Sequence, residues 1–406
     1  MVDPLPQENS DRIKVLIVST VEPFANLDRD TLPWRSGKIF DFLIKNNIPT
    51  KIITSTYNHY TKNFRSKTTG QEFVLMKSVR YRNNLSILRF FNYCIHVPQL
   101  ILLILKYRPK LVLITVPPVV HLLAIFVVKI VDPKIKFWID VRDLWPEIFV
   151  ERFSKAFTRI GANILFSASF RLRSISLNIA DYVTTISPIF VDTLLNDNSS
   201  LIKKIRWFPH PKEVVPLNDE NTTEKVGKIK FVYIGSLSLR TDLVNFVREV
   251  ALFVGKSDCE FIIGGRGFLE NSINELKEEG INVNYLGWVP GVEVNDIIKQ
   301  ADFGMIPYPA SIDFDASFPN KYLEYCALGM RSVSRPLSIY SHDDVPLKIR
   351  PYVLDEDFER ILKTRLTESE RHARQSVFEA SLSEVKMQEY TTEIVSDLLS
   401  RSQSKI

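Results

Sequence analysis

Short apolar runs alternate with amphipathic segments along most of the chain. Residues 14–20, KVLIVST, form a continuous apolar run that ends in small polar residues, which is typical of a buried parallel strand. A helical segment from about Gly37 to Asn46 and a second apolar run at 50–55 complete one β-loop-α-β unit of about 40 residues. Further strands are predicted at 111–116, 135–140 and 182–186. Strands that alternate with helices predict a parallel sheet covered on both faces.

The same pattern restarts after 209–228, a proline-rich polar segment with the composition of a linker. Strands are then predicted at 230–236, 260–264, 282–286 and 303–307, with helices at 241–254, 269–279, 292–300 and about 320–328. The last 20 or so residues form an amphipathic helix with no strand after it.

The fold class is therefore predicted as α/β, with two Rossmann-like parallel-sheet domains. The first domain comprises 1–208 and the terminal helix 385–406, which crosses back to it, and the second comprises 209–384. Two such domains are expected to face each other across a cleft. Because ligands bind beyond the carboxyl ends of the strands in open α/β sheets, the candidate chemistry is expected there.

The most apolar stretch, 111–131, raises the question of a membrane span. Pro117, Pro118, His121 and Lys129 interrupt it, and its first part is β-branched. The stretch is therefore interpreted as a buried strand, a Pro-Pro turn and a buried helix. The N-terminal residues are polar and contain proline, unlike a secretory signal, and three widely separated cysteines argue against a disulfide framework. A cytoplasmic location is the expectation.

A net charge of +5 conceals an asymmetry between the two halves. Residues 1–210 carry a net charge of +13, whereas 211–406 carry −8. The strongest bias lies at 51–89, where eight basic residues accompany a single acidic one, with apolar and aromatic side chains between them. Such a surface fits an anionic bilayer or a pyrophosphate-linked lipid, at about 1 kcal/mol per basic residue near the membrane. A solvated basic face is the alternative, and no nucleic-acid motif accompanies the charge.

Seven segments carry recognisable motifs. They are WIDVRDLWPE (138–147), ADYVTTISP (180–188), VYIGS (232–236), FIIGGRG (261–267), NYLGWVP (284–290), ADFGMIPY (301–308) and FPNKYLEYCALG (318–329). With these motifs the chain resembles the GT-B-fold glycosyltransferases of family four (group 1), which are retaining and use nucleotide sugars. The two first motifs resemble the branch that builds bacterial surface polysaccharides.

A nucleotide-sugar donor loses its diphosphate as the leaving group, so the site needs fixed hydrogen-bond donors and cations. Gly235 and Ser236 follow a strand, where backbone N–H groups and a helix dipole can meet phosphate. The family usually has an Arg and a Lys in this loop. Ser236 replaces the earlier basic residue and leaves Arg240 as the candidate, with a surface arginine as the alternative. The resemblance also implies nucleotide contacts from the backbone around Gly265 and Val289.

Lys321 is the second phosphate candidate, because the helix dipole disfavours a lysine in a first turn unless an anion is near. Glu324 lies three residues on, so a simple i,i+3 ion pair is the alternative. The resemblance implies that Glu324 hydrogen-bonds the ribose hydroxyls of the donor. The family's second acid, eight positions earlier, is Ala316 here, which removes one usual sugar contact.

In the first half, Arg142 and Asp143 follow a predicted strand and are expected to face the cleft. Arg142 stands where many family members have a histidine, so a catalytic histidine cannot be carried over. An arginine could bind phosphate or acceptor hydroxyls, with Asp143 orienting it. A buried Arg–Asp pair that fixes the loop is the alternative. Gly37 fits the family's glycine loop beside the donor phosphates, or it simply starts a helix.

The prediction is a retaining glycosyltransferase that moves a hexose-type sugar from a nucleotide sugar, with a UDP-sugar favoured, to a glycan or lipid-linked acceptor. No cofactor and no metal are expected. Arg142, Asp143 and Lys321 are the predicted catalytic residues. Peripheral contact with an anionic membrane through 51–89 is expected at the inner membrane face. The alternatives are a non-catalytic GT-B scaffold or partner subunit and an enzyme similar to the nucleotide-sugar 2-epimerases.

Overall fold

The computed structural model describes residues 13–403, except 25–26, 29–33, 66–71, 84–85, 146–158, 218–226, 311–314 and 365. The chain divides into two compact units. The first spans Met1–Ile186, Phe190–Phe208 and Met387–Ile406, and the second spans Ser187–Ile189 and Pro209–Lys386. Each unit contains one parallel sheet with helices, which confirms the predicted α/β class.

The described residues of the first unit form a seven-stranded parallel sheet in the order β3-β2-β1-β4-β5-β6-β7. In register, Ile17 pairs with Ile52 on one side and with Leu113 on the other. Because both faces of the sheet are covered, these central strands are continuously apolar. The strands are β1 (Val15–Val18), β2 (Thr50–Ser55), β3 (Phe73–Met76), β4 (Leu111–Val116), β5 (Lys136–Val141), β6 (Tyr182–Thr185) and β7 (Ile205–Trp207).

Helices accompany this sheet along the chain, and the terminal helix packs into its core. Met387, Ile394 and Val395 of the terminal helix belong to the same buried cluster as Val15 and Leu111. The amphipathic pattern of the last residues is thus explained by a contact with the first sheet. The helices are α1 (Arg35–Lys45), α2 (Ile87–Tyr107), α3 (Leu123–Val131), α4 (Arg159–Ile179), most of α5 (Pro188–Asp197) and the terminal helix (Glu384–Gln403).

The apolar stretch 111–131 folds as a strand, a 3-10 turn at Val119–Leu122 and helix α3. Among the described residues, the helix that is long and apolar enough to cross a membrane is instead α2, with a mean hydropathy of 1.5 over its best window. One face of α2 is fixed to the unit by polar contacts. Asn92 accepts a hydrogen bond from the backbone N–H of Val79 at 2.9 Å, and His96 is hydrogen-bonded to Ser78 at 2.9 Å.

The described part of the second unit forms a five-stranded parallel sheet in the order β10-β9-β8-β11-β12. Phe231 stacks between Phe261 and Phe303 at 5.4 and 5.6 Å and centres the core of this unit. The strands are β8 (Ile229–Ile234), β9 (Cys259–Gly264), β10 (Val283–Gly287), β11 (Phe303–Ile306) and β12 (Arg331–Ser334). The helices are α6 (Leu243–Val254), α7 (Glu270–Glu278), α8 (Val294–Lys299), α9 (Asn320–Ala327), α10 (Ser338–Ser341), α11 (Glu356–Leu362) and α12 (Glu368–Leu382), so the terminal helix is α13.

The sequence pattern did not predict three short strands, β3, β7 and β12. Strand β12 reads RSVS, which looks polar, yet all four of its residues are buried. Its first residue, Arg331, is stabilised by an ion pair with Glu370 at 2.6 Å and by a hydrogen bond to the carbonyl of Thr364 at 3.0 Å. Tertiary partners therefore override the polar sequence, which periodicity cannot detect.

A fully buried ion pair connects α1 to strand β5. Arg35 and Asp140 have no exposed side-chain surface, and two guanidinium nitrogens of Arg35 reach the carboxylate at 2.8–3.2 Å. The third nitrogen donates to the carbonyl of Phe208 at 2.6 Å, and Thr184 donates to Asp140 at 2.6 Å. All three guanidinium nitrogens of Arg35 and both carboxylate oxygens of Asp140 therefore make hydrogen bonds inside the first unit.

Replacing Arg35 by Met is expected to lower the free energy of unfolding of the first unit by about 3–5 kcal/mol, because it leaves the charge of Asp140 buried without its main partner. Four of the five tryptophans belong to this unit, so denaturant unfolding followed by tryptophan fluorescence reports on it. The control is Arg360→Met, which breaks an exposed pair with Asp357 and should hardly change the midpoint. Equal midpoints for Arg35→Met and Arg360→Met would contradict this role of the pair.

Candidate functional site

Three glycine-containing segments converge at the carboxyl ends of β8, β9 and β10. The N–H of Gly235 donates to the carbonyl of Gly264 at 2.9 Å, and the N–H of Gly265 donates to the carbonyl of Gly287 at 2.6 Å. A Cβ on Gly265 would overlap the carbonyl of Gly235, and a Cβ on Gly264 would lie 2.7 Å from Val289. Gly265 also has a φ of +137°, which favours glycine. The structure therefore brings together the predicted residues Gly235, Gly265 and Val289.

Lys321, in the first turn of α9, extends over this glycine loop. Its Cε lies 3.0 Å from the point that a Cβ on Gly235 would occupy. Its ammonium group forms an ion pair with Glu324 at 2.5 Å. The ion pair that the i,i+3 spacing predicted is thus present, and it lies beside the backbone that is predicted to receive phosphate.

The helix that the sequence predicts at 241–254 is present as α6, and it does not directly follow the glycine loop. Residues 235–242 form a loop, and α6 begins only at Leu243. The helix that meets the glycine loop is α9, through Lys321. The cation and the helix N-terminus beside the glycine loop therefore belong to a segment about 85 residues further along the chain.

Lys212 is a member of the cluster that the sequence did not indicate. Its ammonium group lies 3.2 Å from Oε1 of Glu324, while Lys321 binds Oε2. One carboxylate is thus shared by two lysines. Lys212 stands 112 positions before Glu324 in a segment without regular pattern, so only the folded chain reveals the pairing.

The charges at Glu324 favour its ionised form. Burial raises the pKa of this carboxyl, but the attraction of Lys321 and then of Lys212 outweighs it, and the pKa lies below its ordinary value. At neutral pH the three groups together carry a net positive charge beside the glycine loop. Such a charge suits an anionic ligand.

Two tyrosines complete the surroundings of Glu324. Burial, followed by the negative charge of Glu324, raises the pKa of Tyr308 to about 12, while a hydrogen bond with Tyr233 and the charge of Arg240 act in the opposite direction. Tyr233 also donates to the carbonyl of Ser236 at 3.1 Å. The charges of Arg240 and Glu324 thus both act on Tyr308, and direct contacts bring Gly235, Lys321 and Glu324 together.

In the first unit, Arg142 is held by protein groups on all three guanidinium nitrogens. Nε donates to Asp140 at 2.8 Å, one Nη donates to Ser36 at 2.8 Å, and the other forms an ion pair with Glu22. Arg142 is therefore paired with Asp140 and Glu22, two acidic residues that the sequence did not indicate. Burial lowers the pKa of Arg142 to about 9 against the attraction of Asp143, which leaves the side chain charged at neutral pH.

The loop around Arg142 is further fixed by the start of α1. The backbone N–H of Ser36 donates to Glu22 at 3.1 Å, and Gly37 follows as a buried residue in the first turn of the helix. Arg142 is thus part of a buried network with Asp140, Glu22 and Ser36. Gly37 is placed near that network as a residue inside α1.

Asp143 lies near a group of aromatic side chains. Burial, and then the charge of Asp143, raises the pKa of Tyr60 to about 12, with Arg89 acting in the opposite direction. The rings of Tyr60 and Trp34 meet edge to face at 5.2 Å, and both are partly exposed. The guanidinium of Arg89 lies 5.7 Å from the ring of Trp145. Exposed aromatic faces beside a cation can pack against sugar rings and attract phosphate.

Replacing Lys212 by Met is expected to raise the pKa of Glu324, because it removes one of the two charges that oppose the effect of burial. A lowered carboxyl pKa stabilises the fold above the pKa of Glu in the unfolded chain, and this stabilisation is lost as the pH falls through the folded-state pKa. In Lys212→Met the loss should therefore begin at a higher pH. A carboxyl ¹³C NMR titration measures the pKa directly.

Lys363→Met is the matched control for this titration, since it removes the lysine that pairs with exposed Glu359 in the same unit. It should leave the pKa of Glu324 unchanged. An unchanged pKa in Lys212→Met would contradict the shared carboxylate.

Within the described residues, no three His, Cys, Asp or Glu side chains form a group that could hold a metal ion. Comparison with known proteins finds a family model that matches the part of the chain containing this site. Residues 228–344, which include Gly235, Gly265, Lys321 and Glu324, match the family model described as glycosyl transferases group 1. No curated protein matches the chain in sequence.

Solved structures share the fold over nearly the whole chain. Sucrose-phosphate synthase from Thermosynechococcus elongatus has a TM-score of 0.67 at 12% identity, covering 96% of this chain and 100% of that one. The lipopolysaccharide outer core galactosyltransferase WaaB, in its apo form, has a TM-score of 0.61 at 15% identity, covering 95% and 99%. WaaG, a glycosyltransferase involved in lipopolysaccharide biosynthesis, has a TM-score of 0.57 at 12% identity, covering 94% and 99%.

These identities establish a common fold, in agreement with the predicted GT-B class. The activity is supported by the match of residues 228–344 to the group 1 model, a region of the unit that contains the glycine loop. The protein is a glycosyltransferase, with a group 1 glycosyl transferase region at residues 228–344.

Proposed function

We propose that this glycosyltransferase moves a hexose-type sugar from a nucleotide-sugar donor to a glycan or lipid-linked acceptor, with retention of configuration. The observation that supports the donor site best is the carboxylate of Glu324 between Lys321 and Lys212, directly beside the Gly235 loop. It lies inside the region that matches the group 1 model.

The diphosphate of the donor is proposed to lie along the glycine loop. Backbone N–H groups can approach phosphate closely there, because glycine leaves the space of a side chain empty. Lys321 and Arg240 supply the positive charge that the departing diphosphate needs. Three cationic side chains within one neighbourhood make a metal-independent reaction the natural proposal, and a UDP-sugar is the favoured donor.

Glu324 is proposed to bind the ribose of the donor. A carboxylate can accept hydrogen bonds from two vicinal hydroxyl groups, which matches a ribose. When the donor is absent, the two lysines satisfy the carboxylate. When the diphosphate arrives, an ammonium group of Lys321 can turn toward it and leave one carboxylate oxygen to the ribose.

In the proposed reaction, the bond between the anomeric carbon and the phosphate oxygen breaks, and an acceptor hydroxyl forms the new bond from the same face. The proton of that hydroxyl passes to the departing diphosphate. No nucleophile from the protein is involved, and charge stabilisation is the main catalytic contribution. Since its nitrogens are bound by Glu22, Asp140 and Ser36, Arg142 is proposed to position the loop that carries Asp143.

The acceptor is proposed to bind the first unit at the aromatic group around Tyr60, Trp34 and Asp143. Contact with an anionic membrane through the basic residues 51–89 would deliver a lipid-linked acceptor, and the protein would act in the cytoplasm at the inner membrane face. WaaB and WaaG are similar in fold and are named for lipopolysaccharide synthesis. By analogy, a role in polysaccharide or glycoconjugate biosynthesis is proposed here.

Replacing Glu324 by Ala should weaken binding of the preferred nucleotide sugar at least tenfold, about 1.4 kcal/mol, because two hydrogen bonds to the ribose are lost. Ligand-observed NMR with UDP-, GDP-, dTDP- and CMP-sugars measures the effect and identifies the base. Glu359→Ala, at an exposed acid of the same unit, is the control and should bind as the wild type does. If the wild type binds none of the sugars, the non-catalytic scaffold becomes the better explanation.

Sugar transfer should be insensitive to EDTA, since lysine and arginine side chains supply the charge for the leaving diphosphate. The measurement is a radiolabel transfer assay with the donor identified above, with and without the chelator. A transfer rate that falls with EDTA and recovers on addition of a divalent cation would refute the metal-independent reaction.

A further inference from the structure

Helix α2 exposes a face that consists of apolar side chains over most of its length. Ile87 is 86% exposed and Leu102 is 69% exposed, and Leu88 and Phe91 are also largely exposed. These side chains lie opposite the buried face of the helix, which packs against its unit. A helix in a soluble unit ordinarily has polar residues on its outer face, so this pattern indicates a surface that contacts something apolar.

Helix α3 extends the same kind of surface, and it packs beside α2. Ile130 is 83% exposed, and Leu123, Val127 and Val131 are exposed as well. Lys129, the lysine within α3, is bound by Asp181 at 3.2 Å. Two neighbouring helices thus present apolar side chains outward, and we name this surface the α2–α3 face.

Charged residues are missing from the central part of α2. Between Arg89 and Lys106 the sequence has no Asp, Glu, Lys or Arg, which corresponds to about 24 Å of helix. Gln99 is polar, but its amide is engaged by the backbone of Lys77 at 2.8 and 3.0 Å. A partner protein would need polar groups to bind at the rim of its interface, and this part of α2 offers few.

The sequence that contains both helices has an excess of basic residues. From residue 73 to residue 131 the sequence contains no acidic residue and eight basic ones. Arg80 and Arg82 precede α2, Lys106 and Arg108 stand at its end, and all four are exposed. An apolar face with an excess of exposed cations is complementary to a bilayer that has acidic headgroups.

Crossing the bilayer is incompatible with the inner face of α2. Asn92 and His96 are buried there and make hydrogen bonds to Val79 and Ser78, and Arg89 is bound to Tyr93 at 2.6 Å. A helix held in this way can lie in the plane of the interface, with its outer residues among the lipid chains.

We propose that the α2–α3 face inserts into the cytoplasmic leaflet of an anionic membrane and acts as the apolar part of the membrane-binding surface. The inference rests on the proposed function, because insertion of this face would bring the enzyme to a lipid-linked acceptor. The main membrane contact is then made by helices α2 and α3 and not by the basic residues 51–89. The basic residues then attract the acidic headgroups, and the α2–α3 face supplies the insertion.

The first turn of α2 also connects this surface to the candidate acceptor site. Arg89 stands in that turn, and its guanidinium lies 5.4 Å from the ring of Tyr93 and 5.7 Å from that of Trp145. Its charge also influences the pKa of Tyr60, as does that of Asp143.

The test is co-sedimentation of the full chain with vesicles of phosphatidylcholine alone or mixed with phosphatidylglycerol. The double variant Leu102→Asp, Ile130→Asp should bind mixed vesicles at least tenfold more weakly than the wild type, because each carboxylate opposes insertion and faces acidic lipid. The control is Leu252→Asp, at a leucine of α6 in the second unit that is 84% exposed, and it should bind as the wild type does.

A second set of variants measures how deeply the α2–α3 face enters the bilayer. Leu102→Cys and Leu252→Cys, each with Cys94→Ser, can carry a nitroxide label whose accessibility to oxygen and to a water-soluble nickel complex is measured by EPR. The label at position 102 should become oxygen-accessible and shielded from nickel on vesicles, and the label at 252 should not change. Equal nickel access at both positions would overturn the insertion.

Other outcomes are equally decisive. Wild-type binding by the double aspartate variant would overturn the proposal. A change from dimer to monomer in light scattering, without any change in vesicle binding, would assign the face to a second copy of the chain. Nucleotide-sugar binding by NMR, measured on the same variants without vesicles, separates a failure of this proposal from a failure of the donor site and also reports that the variants are folded.

Discussion

The buried carboxylate of Asp140 fixes the carboxyl edge of the first sheet. It accepts hydrogen bonds from Arg35 of α1, from Thr184 of β6 and from Arg142 of the following loop. An unpaired charge at this depth would cost several kcal/mol, so each of these segments must adopt the position that satisfies it. The orientation of the loop that carries Asp143 depends on this constraint, and with it the candidate acceptor site.

The second unit contains a comparable arrangement with a different consequence. Glu324 also lies between two cations, but these are lysines, and its side chain is 24% exposed, whereas that of Asp140 is not exposed. Arginine binds a carboxylate through a rigid planar group, whereas lysine makes single contacts from a flexible stem. The cluster around Asp140 is therefore suited to holding the fold, and the cluster around Glu324 is suited to exchanging partners with a ligand.

The two units differ in their distribution of charge and apolar surface. The first unit contains the long acid-free segment and the α2–α3 face, and the second contains the glycine loop with its lysines. In the proposed reaction the donor is therefore bound by the second unit and the acceptor approaches through the first. The net charge of +13 in residues 1–210 agrees with the assignment of the first unit to an anionic surface, whereas the donor site of the second unit depends on the local charges of Lys212 and Lys321 and not on the net charge of −8.

The sequence by itself determined the α/β class, the positions of the long apolar strands and the glycine-ended strands of the second unit. These features are local, because apolar runs and glycines act within a few residues. Strands β3, β7 and β12 were missed, since they are short or polar and form only through their neighbours. Tertiary structure alone paired Lys212 with Glu324 and Arg142 with Glu22, across 112 and 120 positions. Pairing at that separation depends on how the sheets bring strand ends together, and no local pattern in the chain records it.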